Sequence, residues 1–114
     1  MHELSIAMSI VDMAAEEAER LGGVSVVGIH MKLGPLSGVV KEALLGAFEL
    51  AREGTALERS ALLIEEVSPR AHCPTCKATR LVVSVQQLRC SICGTPTPEV
   101  VSGREMEIVA LEVQ

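Results

Sequence analysis

The feature that most constrains this chain is a pair of Cys-x-x-Cys motifs, Cys73-Pro-Thr-Cys76 and Cys90-Ser-Ile-Cys93. Thirteen residues separate the two pairs, slightly fewer than is usual for a four-cysteine zinc site. Each pair can hold one edge of a tetrahedral ion, and the intervening Leu81-Val82-Val83-Ser84-Val85 is typical of a strand. The pattern therefore predicts a zinc ribbon in which all four cysteines bind a structural Zn²⁺ ion.

Other uses of four cysteines are a thiol–disulfide redox pair and an iron site of the rubredoxin type. Thiol–disulfide catalysis needs one reactive pair at the start of a helix, whereas this chain has two pairs in a proline-rich stretch. Iron could use the same four ligands. Four cysteine ligands leave no open coordination position, so the predicted role is structural and not catalytic. His72, beside Cys73, is expected near the site or in solvent.

Charge is distributed unevenly along the chain. Residues 1–69 contain five Lys and Arg against eleven Asp and Glu. Residues 70–98 contain no acidic residue and four basic ones, which are Arg70, Lys77, Arg80 and Arg89. This division predicts a zinc-binding module at 70–98, inserted between the two pieces of one acidic domain, 1–69 and 99–114.

Hydrophobic periodicity predicts the elements of the acidic domain. Apolar residues recur at helical spacing from Ile6 to Leu21, before Gly22-Gly23, and again from Val40 to Ala51. Three segments are typical of strands, at 27–33, 60–67 and 105–113. The prediction is an α/β fold with a sheet of about three strands and two helices, plus the inserted ribbon. A helix joins the first two strands, so we expect them to be parallel.

Composition excludes several classes of protein. The chain of 114 residues is 48% hydrophobic, which excludes intrinsic disorder. Phe48 is its one aromatic residue and its formal net charge is −5, which argues against general nucleic-acid binding. No apolar run reaches the ~18 residues of a membrane span, and no basic segment typical of a secretory signal opens the sequence. We therefore expect a soluble cytoplasmic protein with neither nucleic acid nor membrane as a partner.

The amino end offers a second set of metal ligands. A free amine at Met1, the backbone nitrogen of His2 and its Nδ1 would close a five-membered and a six-membered chelate ring. Amide nitrogen donors favour square-planar Ni²⁺ or Cu²⁺ over Zn²⁺. A histidine at position 2 is more often part of a frayed terminus, so this pattern alone is weak.

The whole chain resembles the HypA/HybF family of hydrogenase-maturation nickel metallochaperones. The resemblance rests on the opening Met1-His2-Glu3-Leu4-Ser5, on Leu33-Gly34-Pro35-Leu36-Ser37, on Phe48-Glu49 ahead of Gly54-Thr55, and on the two cysteine pairs before a last strand. It implies nickel at Met1, His2 and Glu3, and zinc at Cys73, Cys76, Cys90 and Cys93.

The resemblance also implies a function without catalysis. The chain would carry Ni²⁺ and yield it by ligand exchange for maturation of [NiFe]-hydrogenase, with some relatives also serving urease. The implied partners are the nickel-loading GTPase HypB and the precursor of the hydrogenase large subunit. A fourth nickel donor is left open between Glu3, water and a partner's donor, and His30 is expected on the sheet face away from the core.

Two other function classes stay open from the residues alone. A zinc-ribbon protein that binds nucleic acid or regulates transcription fits the basic stretch at 70–98, although the remainder is acidic. A small zinc enzyme would need an open metal position, and the sequence shows neither a Ser/His/Asp set nor a glycine-rich phosphate loop.

Overall fold

The computed structural model describes residues 2–114, and this part of the chain forms two α-helices, a short 3-10 helix and six strands. Helix α1 spans Glu3–Arg20 and helix α2 spans Lys41–Ala51, with the 3-10 helix at Pro35–Ser37. The strands are β1 (Val26–Leu33), β2 (Ala61–Glu66), β3 (Arg70–Cys73), β4 (Ala78–Leu81), β5 (Val100–Ser102) and β6 (Met106–Val113). They form two three-stranded sheets, ordered β2-β1-β6 and β4-β3-β5. The predicted fold class is confirmed.

The described residues divide into two compact units. The first comprises the residues up to Lys32, Val39–Glu65 and Glu107–Gln114, and the second comprises Leu33–Gly38 and Glu66–Met106. The second unit thus takes in more of the chain than the basic stretch at 70–98. This division does not test which metal each part binds. The assignment of nickel to 1–69 with 99–114, and of zinc to 70–98, therefore stays a prediction.

Helix α1 ends where the sequence predicts. Gly22 and Gly23 both have positive φ, 94° and 82°, and the backbone N–H of Gly23 donates to the carbonyl of Ala18 at 2.9 Å. A left-handed residue at this point turns the chain out of the helix while the carbonyls of the last turn keep hydrogen-bond partners. The turn leads directly into β1.

Strands β1 and β2 begin together and end together. The hydroxyl of Ser60, just before β2, donates to the carbonyl of Val26 at the start of β1. At the other end, the N–H of Val67 donates to the carbonyl of Leu33 at 2.9 Å. The two strands are therefore parallel, as predicted, and α2 forms the crossover between them.

Strand β6 runs in the opposite direction along the other side of β1. The N–H of Gln114, after β6, donates to the carbonyl of Ser25, before β1, at 2.9 Å. The N–H of Gly34, after β1, donates to the carbonyl of Glu105, before β6, at 2.8 Å. The sheet is therefore mixed, with β1 in its centre.

The core of the first unit is aliphatic around one aromatic ring. Phe48 of α2 is 2% exposed, and helices α1 and α2 pack against each other. The other residues buried here come from both helices, β1, β2, the segment before α2 and the turn before β2: Ala7, Ile10, Val11, Ala14, Ala18, Val26, Ile29, Met31, Val39, Leu44, Leu57 and Leu62. Removal of this apolar surface from water is the main stabilising contribution to the unit.

The second sheet differs from the strand predicted at 81–85. Strand β4 ends at Leu81, and Val82 adds only an isolated bridge to Cys90. The chain turns immediately afterwards, because the N–H of Gln87 donates to both the carbonyl and the hydroxyl of Ser84. The strand prediction was therefore wrong for residues 83–85.

Candidate metal centre

The four cysteines of the two motifs meet in the second unit. Their Sγ atoms all lie within 4.8 Å of one another, and all four are free thiols. Within the described part of the chain, this is the one group of three or more potential ligands gathered closely enough to hold a metal ion. The central prediction of the sequence, that the pairs converge, is therefore confirmed.

Each pair forms the same tight turn. Cys73 is the last residue of β3, and the N–H of Lys77 donates back to its carbonyl at 2.8 Å. In the second pair, the N–H of Gly94 donates to the carbonyl of Cys90 at 2.9 Å. The residue after each second cysteine has positive φ, 56° at Lys77 and 74° at Gly94. The glycine at the second turn avoids the steric cost that a side chain incurs there.

The turns also aim backbone N–H groups at sulfur. The N–H of Cys76 donates to Sγ of Cys73 at 3.3 Å, and that of Ile92 donates to Sγ of Cys90 at 3.4 Å. Such bonds stabilise negative charge on sulfur, and thiolate is the form that binds metal. The first cysteine of each pair thus has matching surroundings.

The spacing of the sulfur atoms fits a tetrahedral ion. Zn–S bonds of about 2.3 Å in tetrahedral geometry place the sulfurs about 3.8 Å apart. The Sγ of Cys93 lies 3.5 Å from that of Cys73 and 3.7 Å from that of Cys76, and the Sγ atoms of Cys76 and Cys90 are 3.9 Å apart. These separations are far longer than a disulfide bond of about 2.0 Å. The residues present therefore fit a four-thiolate metal site.

Two arginines of the basic stretch lie beside the cluster. Arg80 of β4 hydrogen-bonds to the thiol of Cys76, which lowers the pKa of that group. Hydrogen bonds with the other cysteines and burial oppose this effect and raise the pKa of Cys76 to about 11. Arg89 donates through Nη1 to the carbonyl of Gly94 at 3.2 Å. A bound divalent cation would favour the thiolate of Cys76 over the protonated form.

A threonine pair beside Cys93 was missed from the sequence. The Sγ of Cys93 lies 3.2 Å from Oγ1 of Thr95, and that hydroxyl donates to Oγ1 of Thr75 at 2.9 Å. The hydrogen bond with Thr95 lowers the pKa of the Cys93 thiol to about 6. Thr75 belongs to the first motif and Thr95 follows the second, so the contact links the two turns. In the sequence, only the positions of the two threonines close to the cysteines could have indicated this contact.

At the amino end, the predicted nickel ligand Met1 lies outside the described residues. His2 is exposed and precedes α1, and its carbonyl accepts the N–H of Ile6 at 3.1 Å. The carboxylate of Glu3 accepts the N–H of Val40 through Oε2 at 3.4 Å. The N–H of Glu3 itself and then that of Val40 hold the pKa of the Glu3 carboxyl below its usual range. The carboxylate therefore links the starts of α1 and α2.

The other two histidines lie on strands. His30 is half-buried on β1, and its Nε2 is 2.5 Å from Oε1 of Glu112 on β6. His30 is thus paired with a carboxylate of the neighbouring strand. His72 is half-buried on β3 opposite Thr79, and it is not a member of the four-cysteine cluster.

Among the described residues, no helix combines the length and the apolar character that crossing a membrane requires.

Comparison with solved structures supports the fold. The chain is similar to the nickel metallochaperone HypA from Helicobacter pylori, whose solution structure it matches with a TM-score of 0.66. The match covers 99% of this chain and 97% of that one at 23% sequence identity. At this identity, the likeness shows a common fold.

Comparison of sequences is more specific. A hydrogenase maturation factor HypA from a Roseiflexus species is 45% identical over 114 residues, covering all of this chain and 93% of the relative. HypA from Chloroflexus aggregans is 42% identical and covers 98% of both chains. The family model described as hydrogenase/urease nickel incorporation, metallochaperone, HypA matches residues 1–113. These names describe a maturation factor and not an enzyme. With fold, cysteine cluster and sequence in agreement, this chain belongs to the HypA family of nickel-incorporating metallochaperones.

Proposed function

We propose that this chain binds Ni²⁺ at Met1-His2-Glu3 and delivers it for maturation of [NiFe]-hydrogenase. Membership of the HypA family over residues 1–113 is the observation that carries this proposal. Two further features support it. The imidazole of His2 is exposed, and its main chain is attached to the first turn of α1.

The proposed ligands at the amino end form a terminal chelate. In a chain whose Met1 carries a free amine, that amine, the backbone nitrogen of His2 and Nδ1 of His2 supply three nitrogen donors. This donor set favours Ni²⁺ over Zn²⁺, because a deprotonated amide stabilises square-planar coordination. Glu3 supplies the next donor, through its backbone nitrogen or its carboxylate. That carboxylate also accepts the N–H of Val40 at 3.4 Å.

We further propose that Cys73, Cys76, Cys90 and Cys93 bind Zn²⁺ as a structural ion. The sulfur spacing and the two N–H···S bonds support a tetrahedral four-thiolate site. Bound zinc would neutralise part of the negative charge of the four thiolates and would cross-link the two turns. Four cysteine ligands would leave no open coordination position on the ion. The nickel and zinc assignments therefore fall on different parts of the chain, at 1–69 with 99–114 and at 70–98.

Delivery needs an acceptor that docks on this chain and replaces its nickel ligands with its own. We propose the nickel-loading GTPase HypB and the precursor of the [NiFe]-hydrogenase large subunit as partners, in the cytoplasm. Residues 1–69 carry eleven acidic against five basic residues. Electrostatic attraction would therefore speed the association of an acceptor that has a basic surface. The family description names urease as well, and we extend the proposal to urease maturation.

The test of the nickel site is a titration of untagged protein with Ni²⁺, with metal content measured beforehand. We expect about one zinc per chain at the start and about one nickel taken up. His2→Ala should abolish tight nickel binding and leave zinc content unchanged. His30→Ala is the matched control, because it removes a histidine held by Glu112, and it should leave nickel binding intact.

A second arm tests the amine. An uncleaved tag before Met1, or acetylation of Met1, converts the amine to an amide and removes its basicity. Either change should abolish tight nickel binding, whereas a tag after Gln114 should not. If the amino-terminally tagged protein binds one Ni²⁺ as tightly as the untagged form, the terminal chelate is wrong, and His30 and His72 become the leading candidates.

A further inference from the structure

The four cysteines differ sharply in their access to solvent. Cys73 is 0% exposed and Cys90 is 1% exposed, so the first cysteine of each pair is enclosed by protein. Cys76 is half-buried and Cys93 is exposed. The proposed metal site therefore has a closed side and an open side, and Cys93 is its most exposed residue.

The two enclosed sulfurs also accept backbone hydrogen bonds. Each of them accepts a backbone N–H, from Cys76 in one turn and from Ile92 in the other. Cys93 also has hydrogen bonds, with Thr95, so its exposure is what distinguishes it from the two enclosed cysteines. A small oxidant arriving from solvent would thus find Cys93 first, with little access to Cys73 or Cys90.

A second sulfur lies close enough to complete a disulfide. The Sγ of Cys76 is 3.7 Å from that of Cys93, and both belong to the open side. The Sγ of Cys73 is slightly nearer, at 3.5 Å, but Cys73 lies at the end of the central strand β3 and is fully buried. Bond formation requires an approach to about 2.0 Å. The less buried Cys76 can make this movement with less disturbance of packing.

We propose that Cys93 is an oxidative modification site for hydrogen peroxide, with Cys76 as its resolving partner and release of the metal as the outcome. The inference rests on the zinc assignment above and adds a chemical reactivity to that site. In the first step, the thiolate of Cys93 attacks one peroxide oxygen. The O–O bond breaks, hydroxide leaves, and Cys93 becomes a sulfenic acid.

In the second step, the thiolate of Cys76 attacks the sulfur of that sulfenic acid. The S–O bond breaks, a second hydroxide leaves, and a Cys76–Cys93 disulfide forms. Two thiolates have then given two electrons to one peroxide, which is reduced to two hydroxide ions. Cys73 and Cys90 remain as the only thiolate ligands, too few for a structural site, and the ion leaves.

The experiment treats the purified full-length, zinc-loaded chain with a small excess of hydrogen peroxide. Zinc content is measured first, a colour-forming chelator then follows its release, and samples are trapped with dimedone and with an alkylating reagent for peptide mapping. We expect the first dimedone adduct at Cys93, then a Cys76–Cys93 disulfide that forms at the rate of zinc release. A thiol reductant together with zinc should restore the starting protein.

Substitution of Cys93 itself would remove a ligand, so a threonine variant provides the second measurement. Thr95→Val deletes the hydroxyl beside Cys93 without touching a ligand, and Thr79→Val changes an exposed threonine of β4 as its control. The thiol of Cys93 donates to the Thr95 hydroxyl, which itself donates to Thr75. A metal-bound thiolate has no proton to give, so that hydroxyl would turn to donate to the sulfur of Cys93. Loss of that bond makes the thiolate more nucleophilic, so Thr95→Val should speed oxidation at Cys93 about threefold. Thr79→Val should leave the rate unchanged.

The outcomes separate the two proposals. If the purified protein holds no zinc before oxidation, the zinc assignment is wrong, and the inference that Cys93 oxidation releases zinc is wrong as well. Zinc-loaded protein that is oxidised first at Cys73 or Cys90, or that releases zinc while Cys93 stays reduced, overturns the present inference alone. Equal rates for the two threonine variants would also count against it.

Discussion

A Cβ atom built on Gly34 would lie 2.0 Å from the carbonyl oxygen of Gly103, so the two backbones approach more closely than any side chain permits. The contact is fixed on both sides. The N–H of Leu36 donates to the carbonyl of Gly103 at 2.7 Å, and the N–H of Gly34 donates to the carbonyl of Glu105 at 2.8 Å. Gly34 is thus required by a distant segment of the chain and not by its own turn.

Gly34→Ala should therefore be strongly destabilising. Backbone must move to admit the methyl group, which costs about 1–3 kcal/mol for overpacking, with further loss from weakened hydrogen bonds. Gly46→Ala in α2 is the matched control, since a Cβ there meets no atom within 4 Å. Alanine in a helix should stabilise by about 0.5–1 kcal/mol. Urea denaturation of both variants tests this pair, and an alanine at 34 that costs nothing would contradict the observed approach.

Substitution of the two positive-φ residues in the zinc-binding module, Lys77 and Gly94, should change the stability of the protein in opposite directions. Gly94→Ala adds a Cβ that touches nothing, so its cost comes from φ alone and should be about 1 kcal/mol. Lys77→Gly relieves the same conformation at the other turn and should be neutral or stabilising by up to about 1 kcal/mol. Thermal unfolding of the zinc-loaded protein measures both. Equal destabilisation by the two changes would argue against the matched turns.

Loss of one buried ligand should remove the metal and unfold its surroundings. Cys90→Ser leaves three thiolates, and because metal-binding free energy is also folding free energy, residues 70–98 should become disordered. The first unit should stay helical, since its core contains no cysteine. Zinc analysis with amide hydrogen exchange resolves the two regions, and Ser91→Ala is the neighbouring control. A Cys90→Ser protein that retains one zinc at unchanged stability would exclude the four-cysteine site.

Nickel affinity should fall as protons compete for the proposed nitrogen ligands. Both the imidazole and the amine must be unprotonated to bind, so affinity should weaken clearly from about pH 7.5 to about pH 6. Zinc held by four thiolates should stay bound over this interval. Isothermal titration at several pH values provides the measurement, and a flat nickel affinity would point to carboxylate ligands.

The carboxylate of Glu3 should contribute to stability in a defined range of pH. Its folded-state pKa lies below the unfolded value, first through its own backbone N–H and then through that of Val40. The contribution is therefore present above the unfolded pKa and disappears as pH falls through the folded one. Without nickel, the stability advantage of wild type over Glu3→Gln should shrink from about pH 6 to about pH 3. Glu19→Gln controls for loss of one charge, and an advantage that does not shrink would contradict the lowered pKa of Glu3.

The parts of this fold that follow from local pattern were predictable. The helices, the strands β1, β2 and β6 and the convergence of the cysteines each leave a periodic or spaced signal in the sequence. The short strands β3 and β5 leave none, because three or four residues give no alternation, and they are strands only through pairing with distant segments. The link from Glu3 to Val40 and the threonine contact at Cys93 are likewise tertiary.

Cys73 is both a proposed ligand and the last residue of β3, the central strand of the second sheet. Loss of the ion would thus release the middle of that sheet, on which β4 and β5 both depend for hydrogen bonds. In a cell, a chain that has not received this ion would expose open strand edges to proteases and chaperones. The supply of one metal would then set how many molecules are available to carry another.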